Sequence, residues 1–167
     1  MKTKFFLLGA LSLLLFNACN SNDEPKIKIA ESPFNLILES CSEEESVFFN
    51  YQSLDPHCGF PKQYYITTST KPSELVLQCK DPDNILIDFN QTKAYGDDYG
   101  YRDYPIHISE VVEVSTTDDN KLIFSFPELQ AENFPYFLIM RAFVVVTSET
   151  EDEKKSDTIF ITRYLEY

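Results

Sequence analysis

Residues Lys121–Phe126, with the sequence KLIFSF, place a large apolar side chain at every second position. Leu122, Phe124 and Phe126 therefore share one side of an extended chain, because successive side chains of a β-strand alternate between its two faces. A strand with one apolar face is typical of a sheet that covers a hydrophobic core with one side only. The stretch predicts a half-buried strand.

Short runs of the same kind recur along the chain and are separated by turn residues. The other runs are Phe34–Glu39, Ser46–Tyr51, Gln63–Ser69, Glu74–Lys80, Asn84–Asn90, Pro105–Ser115, Phe134–Ser148 and Ser156–Tyr164. Residues 116–120 predict a tight hairpin, and residues 149–155 predict a charged hairpin loop. The pattern predicts an all-β fold, an immunoglobulin-like antiparallel β-sandwich with Greek-key connections. A closed barrel is the alternative.

The N-terminal segment has the features of an export signal. Lys2 and Lys4 precede an apolar run, Phe5–Phe16, which is too short to span a bilayer comfortably, and the small residue Ala18 follows. Because Cys19 comes directly after Ala18, we expect a lipoprotein signal in which cleavage precedes a diacylated Cys19. The predicted organisation is a signal peptide over 1–18, a lipidated tether over 19–32 and a β-sandwich domain over 33–167. The alternative is an ordinary cleaved signal with a chance cysteine.

Leu15–Cys19 resembles a bacterial lipobox, and its relaxed form is similar to those of Bacteroidetes lipoproteins. Phe16 and Asn17 depart from the aliphatic and small residues that are usual there. Asn20–Glu24 is similar to the polar, acidic tract that directs such lipoproteins to the outer face of the outer membrane. The resemblance implies a lipid-anchored outer-membrane protein at the cell surface, with the periplasmic face as the alternative.

A second resemblance covers the strands. Glu74–Cys79 followed by Ile85–Ile87 resembles a strand pair of small immunoglobulin-like Bacteroidetes lipoproteins. Asp157–Arg163 is similar to the closing strand of the BACON-type module, with Arg163 where Gln is frequent. These likenesses imply a non-catalytic surface module associated with glycan handling. The triplet at 157–159 also resembles a Bacteroidetes O-glycosylation acceptor with Thr158 as the modified residue, although an ordinary strand threonine fits equally well.

The chain is strongly acidic, with 27 acidic and 14 basic residues. Residues 1–18 contain two of the basic residues and no acidic one, which leaves 12 basic residues and a net charge of −15 after cleavage. Such a chain is repelled by nucleic acid, so we expect no nucleic-acid partner. It is also repelled by anionic lipid, so the predicted attachment to the membrane depends on the N-terminal lipid.

Three cysteines remain beside Cys19. Cys79 alternates with Leu75 and Leu77, so we expect it to be a buried thiol. Cys41 and Cys58 lie in polar, turn-rich segments of an exported chain, where disulfides form. We predict a Cys41–Cys58 disulfide, whose loop closure contributes roughly 3 kcal/mol. The alternative pairing is Cys58–Cys79, and no cysteine or histidine spacing indicates a metal site.

The strongest candidate site is a tyrosine-rich segment between two predicted strands, which we call the tyrosine loop, residues 95–104. The segment contains four aromatic rings, those of Tyr95, Tyr99, Tyr101 and Tyr104. It also contains three carboxylates that accept hydrogen bonds, those of Asp97, Asp98 and Asp103, and the forked donor Arg102. Rings stack on the C–H faces of sugars, carboxylates accept from hydroxyls, and tyrosine-rich loops also bind proteins. We predict a glycan-binding or protein-binding loop. The alternatives are a loop that packs its own rings on the sheet and a calcium site at the aspartates.

No arrangement of residues indicates catalysis. His57 and His107 are the only histidines, and the chain has no GxSxG elbow, HExxH helix or phosphate loop. We therefore predict a protein that is not an enzyme and has no cofactor. The alternative function is a scaffold or interaction subunit of an envelope complex without a small-molecule site.

Overall fold

Strands, most of them short, make up more than half of the residues that the structure describes. The computed structural model describes residues 31–44, 46–53, 62–98, 102–130, 133–134 and 137–165. Its strands are β1 Leu36–Cys41, β2 Val47–Gln52, β3 Gln63–Thr68, β4 Ser73–Cys79, β5 Leu86–Ile87, β6 Lys93–Asp97, β7 Asp103–Ile106, β8 Glu113–Thr116, β9 Lys121–Phe126, β10 Ile139–Glu149 and β11 Lys154–Tyr164. A 3₁₀ turn at Ile108–Glu110 lies between β7 and β8.

The strands form two sheets. The four-stranded sheet has the order β1-β4-β9-β8, and the seven-stranded sheet has the order β2-β3-β11-β10-β6-β7, with β5 paired to β10. All pairs are antiparallel except β3 and β11, which run parallel. The predicted all-β sandwich is confirmed, and the parallel pair is a departure from the purely antiparallel arrangement expected.

The core lies between the sheets and follows the alternation of the sequence. Leu122, Phe124 and Phe126 of β9 are all buried, as their spacing predicts. Their buried counterparts on the seven-stranded sheet include Ile66, Met140, Val144, Ile159 and Ile161. Each sheet therefore has an inner apolar face and an outer face exposed to solvent.

Two predicted hairpins are present. Asn120 closes the β8–β9 turn in the left-handed region, with a φ of 65°, and its backbone N–H donates to the Thr117 carbonyl at 3.1 Å. Asparagine tolerates this backbone conformation better than most residues. The β10–β11 hairpin is closed by the N–H of Thr150, which donates to the Glu153 carbonyl at 2.8 Å.

Three predicted elements differ from the structure. Residues 105–115 do not form one strand, because the chain turns at Ile108–Glu110 as it passes from the seven-stranded to the four-stranded sheet. Residues 84–90 form only the two-residue strand β5, since the Asp88 carboxylate accepts the N–H of Asn90 at 3.0 Å and makes a turn. Residues 95–97 of β6 and residues 103–104 of β7 lie in the segment that the sequence predicts to be a loop.

Arg163 lies on the inner face of β11 and is fully buried. Its guanidinium donates to the carbonyls of Ser69 at 3.0 Å, Val111 at 3.0 Å and Pro127 at 2.8 Å. It also lies 5.5 Å from the centre of the Phe126 ring. Burial lowers the pKa of Arg163 to about 10, so the group remains charged at neutral pH. Arg163 therefore forms hydrogen bonds with three connecting segments that are distant in sequence, those that contain Ser69, Val111 and Pro127.

The predicted signal peptide, Cys19 and most of the tether lie outside the described residues, as does Cys58. Within the described part of the chain, no helix is long and apolar enough to cross a membrane.

Candidate functional site

The tyrosine loop is a β-hairpin. Tyr95 and Asp97 belong to β6 and pair with Pro105 and Asp103 of β7. The prediction of a loop is therefore wrong for both ends of the segment. Glycine and aspartate favour turns, which is why the sequence predicts a loop here. In the structure, an arginine on the neighbouring strand β10 balances the charge of Asp97 and the segment stays extended. Tyr99 and Tyr101 lie outside the described residues.

Arg141 of β10 holds the two strands of the hairpin. Its Nη2 lies 2.8 Å from Asp97 Oδ2, and its Nη1 lies 3.7 Å from Asp103 Oδ1. Asp97 is only 3% exposed, so its ion pair with Arg141 is structural. Among the described residues, no group of three His, Cys, Asp or Glu side chains is arranged to hold a metal ion.

The remaining described members of the loop lie nearer to solvent. Asp98 accepts the backbone N–H of Arg102 at 2.7 Å and the hydroxyl of Tyr104 at 3.2 Å. Tyr104 is 39% exposed, and its ring lies 5.8 Å from that of Phe137. Phe137 in turn lies directly over Gly96, where a Cβ atom would overlap its ring. Arg102 and Tyr104 of the hairpin are therefore exposed to solvent, and the Phe137 ring packs against the hairpin beside them.

The outer face of the seven-stranded sheet carries a row of rings that the sequence analysis did not identify. Tyr65, Phe160, Phe143 and Tyr95 lie on the neighbouring strands β3, β11, β10 and β6. Consecutive ring centres are 5.5, 5.2 and 5.9 Å apart. All four are half-buried, and we call them the aromatic row. The row places Tyr95 of the tyrosine loop at one end of a surface that crosses four strands.

The aromatic row cannot be predicted from the sequence, because it depends on the order of the strands in the sheet. Phe143 and Phe160 each lie between two buried apolar residues, so in the sequence both rings belong to short continuous apolar runs. That pattern alone indicates a strand buried on both sides. Only the parallel pairing of β3 with β11 and the pairing of β10 with β6 bring the four rings together.

Polar groups border the aromatic row. Arg141 is paired with Tyr95, and the exposed Lys93 is paired with Phe143. Thr158 precedes Phe160 by two residues and shares its outward face, opposite the buried Ile159. O-glycosylation of Thr158 stays a prediction. The surface combines flat rings with donors and hydroxyls, a composition typical of recognition surfaces.

The two described cysteines, Cys41 and Cys79, are not joined to each other. Cys79 is buried, as predicted, and donates to the Pro82 carbonyl at 3.2 Å. Burial raises the pKa of its thiol. Cys41 is half-buried, and the predicted partner Cys58 lies outside the described residues. The Cys41–Cys58 disulfide stays a prediction.

No protein-family model matches this chain, and no curated protein shows significant similarity to it. The fold and the site define an all-β sandwich with an aromatic outer face beside a tyrosine-rich hairpin.

Proposed function

We propose that this protein is a non-catalytic, lipid-anchored envelope module that binds glycan or protein at the cell surface. The contact surface is the aromatic row together with the tyrosine loop. The observation that carries the proposal is the row of four rings on the outer, solvent-facing side of the sheet. Contiguous apolar surface of this kind marks interaction sites on soluble domains.

The rings of the row are suited to binding because they hold one another in place. Phe143 packs edge-on against both Phe160 and Tyr95, and Tyr65 stacks on Phe160. Rings that are already ordered lose little conformational freedom when a ligand covers them. The bordering groups Arg141 and Lys93 give a ligand polar partners beside the apolar contact.

The alternative is a scaffold subunit that docks to another envelope protein. Ile37 and Leu38 are exposed on β1, an edge strand of the four-stranded sheet. Edge strands offer unpaired backbone groups to a second chain, and exposed apolar side chains strengthen such pairing. This alternative places the contact on the opposite sheet from the aromatic row.

Substitution of the central rings tests the proposal. Phe143→Thr and Phe160→Thr introduce a β-branched residue that favours the strand while they remove the rings of the row. We expect both variants to fold and to lose binding on a glycan array or in crosslinking on intact cells. The matched control is Phe89→Thr, because Phe89 is 62% exposed in a turn outside the row. Binding by the row variants at the level of the control would contradict the proposal.

The membrane attachment is tested separately. Cys19→Ser removes the thiol that receives the lipid, so we expect an unprocessed or a released protein, since two acyl chains give stable anchoring. Mass spectrometry of the mature N-terminus checks this, and an unlipidated terminus at another residue would contradict it. Protease treatment of intact cells distinguishes the outer surface from the periplasmic face.

A further inference from the structure

A groove of about 540 Å³ opens at one end of the seven-stranded sheet, across β2, β3 and β11. It lies where β2 begins and where β3 and β11 end. Its volume is in the range of small-molecule sites. None of the residues predicted from the sequence to bind a ligand lines it.

Two exposed rings belong to this groove. Phe48 on the edge strand β2 is 58% exposed, and Tyr164 at the end of β11 is 50% exposed. Strand β3 lies between β2 and β11, so the rings flank it from its two sides. Large rings that remain open to solvent on both sides of a cleft provide flat apolar surfaces for a ligand.

The β3 segment between the rings supplies hydroxyl groups. Thr67, Thr68 and Ser69 all line the groove. The Thr68 hydroxyl is buried and has no hydrogen-bond partner among the described residues. Because that hydroxyl faces the core, as the buried Ile66 does, the hydroxyls open to a ligand in the groove are those of Thr67 and Ser69.

The charges around the groove favour a particular kind of ligand. Glu43 and Glu44 line it from the β1–β2 connection, and Lys71 lines it from the β3–β4 connection. Two carboxylates accept hydrogen bonds from hydroxyl donors and repel an anionic ligand. The chain as a whole has a net charge of −13, which adds to that repulsion.

We propose that this groove binds neutral hexose units of a glycan. The C–H faces of a pyranose fit the rings of Phe48 and Tyr164, and its hydroxyls fit the carboxylates and the β3 hydroxyls. A purely apolar ligand would leave those polar groups unpaired, and a uronic acid would face Glu43 and Glu44. The inference depends on the proposed binding function, because it names the ligand class for one part of the same sheet.

The position of the groove allows a longer chain to reach the tyrosine loop. Ile139 of β10 pairs with Tyr164 on one side and with Asp97 of the hairpin on the other. The groove, Tyr164 and the hairpin therefore lie along the same end of the sheet. An oligosaccharide seated in the groove extends across β10 toward Arg102 and Tyr104.

The test uses the full-length protein on an array of neutral polysaccharides and of polysaccharides rich in uronic acid. We expect binding to neutral chains only. Titration with an oligosaccharide of the best-bound neutral chain then compares variants. Phe48→Ala and Tyr164→Ala should each raise Kd about tenfold, as loss of one well-packed ring contact does. Phe48→Tyr should retain binding, and Phe89→Ala is the exposed-ring control.

Three results would overturn this inference: no neutral glycan bound, a preference for uronic acids, or unchanged affinity in both ring variants. Circular dichroism verifies that Phe48→Ala and Tyr164→Ala are folded. If one of these variants is unfolded, the comparison of Phe48→Tyr with the wild type still tests the groove. If Phe143→Thr abolishes binding while the groove variants bind normally, the groove inference fails and the proposed function stands. If neither a glycan nor a crosslinked protein is found, both fail.

Discussion

Arg163 is the residue whose loss should damage the fold most. Its guanidinium satisfies the carbonyls of Ser69, Val111 and Pro127, and Arg163→Met leaves them without that donor. We expect the free energy of unfolding to fall by about 3 kcal/mol, because buried polar groups that lose a partner are costly. Urea denaturation measures this. Arg102→Met, at an exposed position, should leave stability unchanged, and equal effects of the two substitutions would contradict the assignment.

The inward position of Arg163 was available from the sequence, although its partners were not. Arg163 follows Ile159 and Ile161 at two-residue spacing, so alternation places all three on one face. Arginine is rarely buried unless it is paired, and the local sequence does not indicate which group pairs with Arg163. Its partners are backbone carbonyls of loops far away in the chain, which no local pattern reveals.

The reactivity of Cys79 distinguishes the disulfide arrangements. The thiol is buried and its pKa is raised by that burial, so it stays protonated and inaccessible in the folded protein. We expect iodoacetamide to label Cys79 only after denaturation. If Cys41 and Cys58 are joined, mass spectrometry without reduction finds that pair linked and Cys79 free. A Cys58–Cys79 linkage would establish the alternative pairing instead.

At the scale of elements, the β6–β7 hairpin depends on a glycine. Gly96→Ala would push a methyl group into the Phe137 ring, and overpacking of this kind costs about 1–3 kcal/mol. Combining it with Phe137→Ala should remove the clash, so the two substitutions together should destabilise the protein less than the sum of their separate effects. Urea midpoints of the single and double variants measure this, and simple additivity would show that the two side chains do not meet.

The strands with one apolar face could be predicted, and the site elements could not. β9 has the predicted bounds, because its alternation of Leu122, Phe124 and Phe126 is regular. β6 was missed because Gly96 and Asp97 favour turns. What keeps them extended is Arg141 and Phe137, which come from a segment more than 40 residues away. A contact at that distance cannot be inferred from local propensity.

At the scale of the whole molecule, three tyrosines that are buried or half-buried make stability depend on alkaline pH. Burial raises the pKa values of Tyr51, Tyr64 and Tyr65 above the ordinary value of 10. The stability they contribute is complete below pH 10 and is lost as the pH rises through the raised pKa values, because the unfolded chain releases those protons first. Arg163 acts oppositely, since its lowered pKa leaves more protons on the unfolded chain than on the folded chain above about pH 10.

The tyrosine contribution is isolated by Tyr64→Phe. This variant loses the hydroxyl that donates to the Phe34 carbonyl at 2.6 Å, so it starts less stable. It should nevertheless lose less of its remaining stability than the wild type when the pH passes 10. Urea midpoints below and above that pH, followed with tyrosinate absorbance, give the comparison. Parallel pH profiles would show that Tyr64 takes no part.

The central position of β11 sets the timing of folding. The β2–β3 hairpin joins the rest of its sheet only through β11, which lies between β3 and β10. Strand β3 (residues 63–68) therefore cannot pair with its neighbour β11 before residues 154–164 have been synthesised. Because β11 follows the other ten strands in sequence, the seven-stranded sheet cannot be completed before residues 154–164 have been synthesised. If the protein is exported as we propose, this late completion leaves the chain unfolded while it is threaded through a narrow export channel.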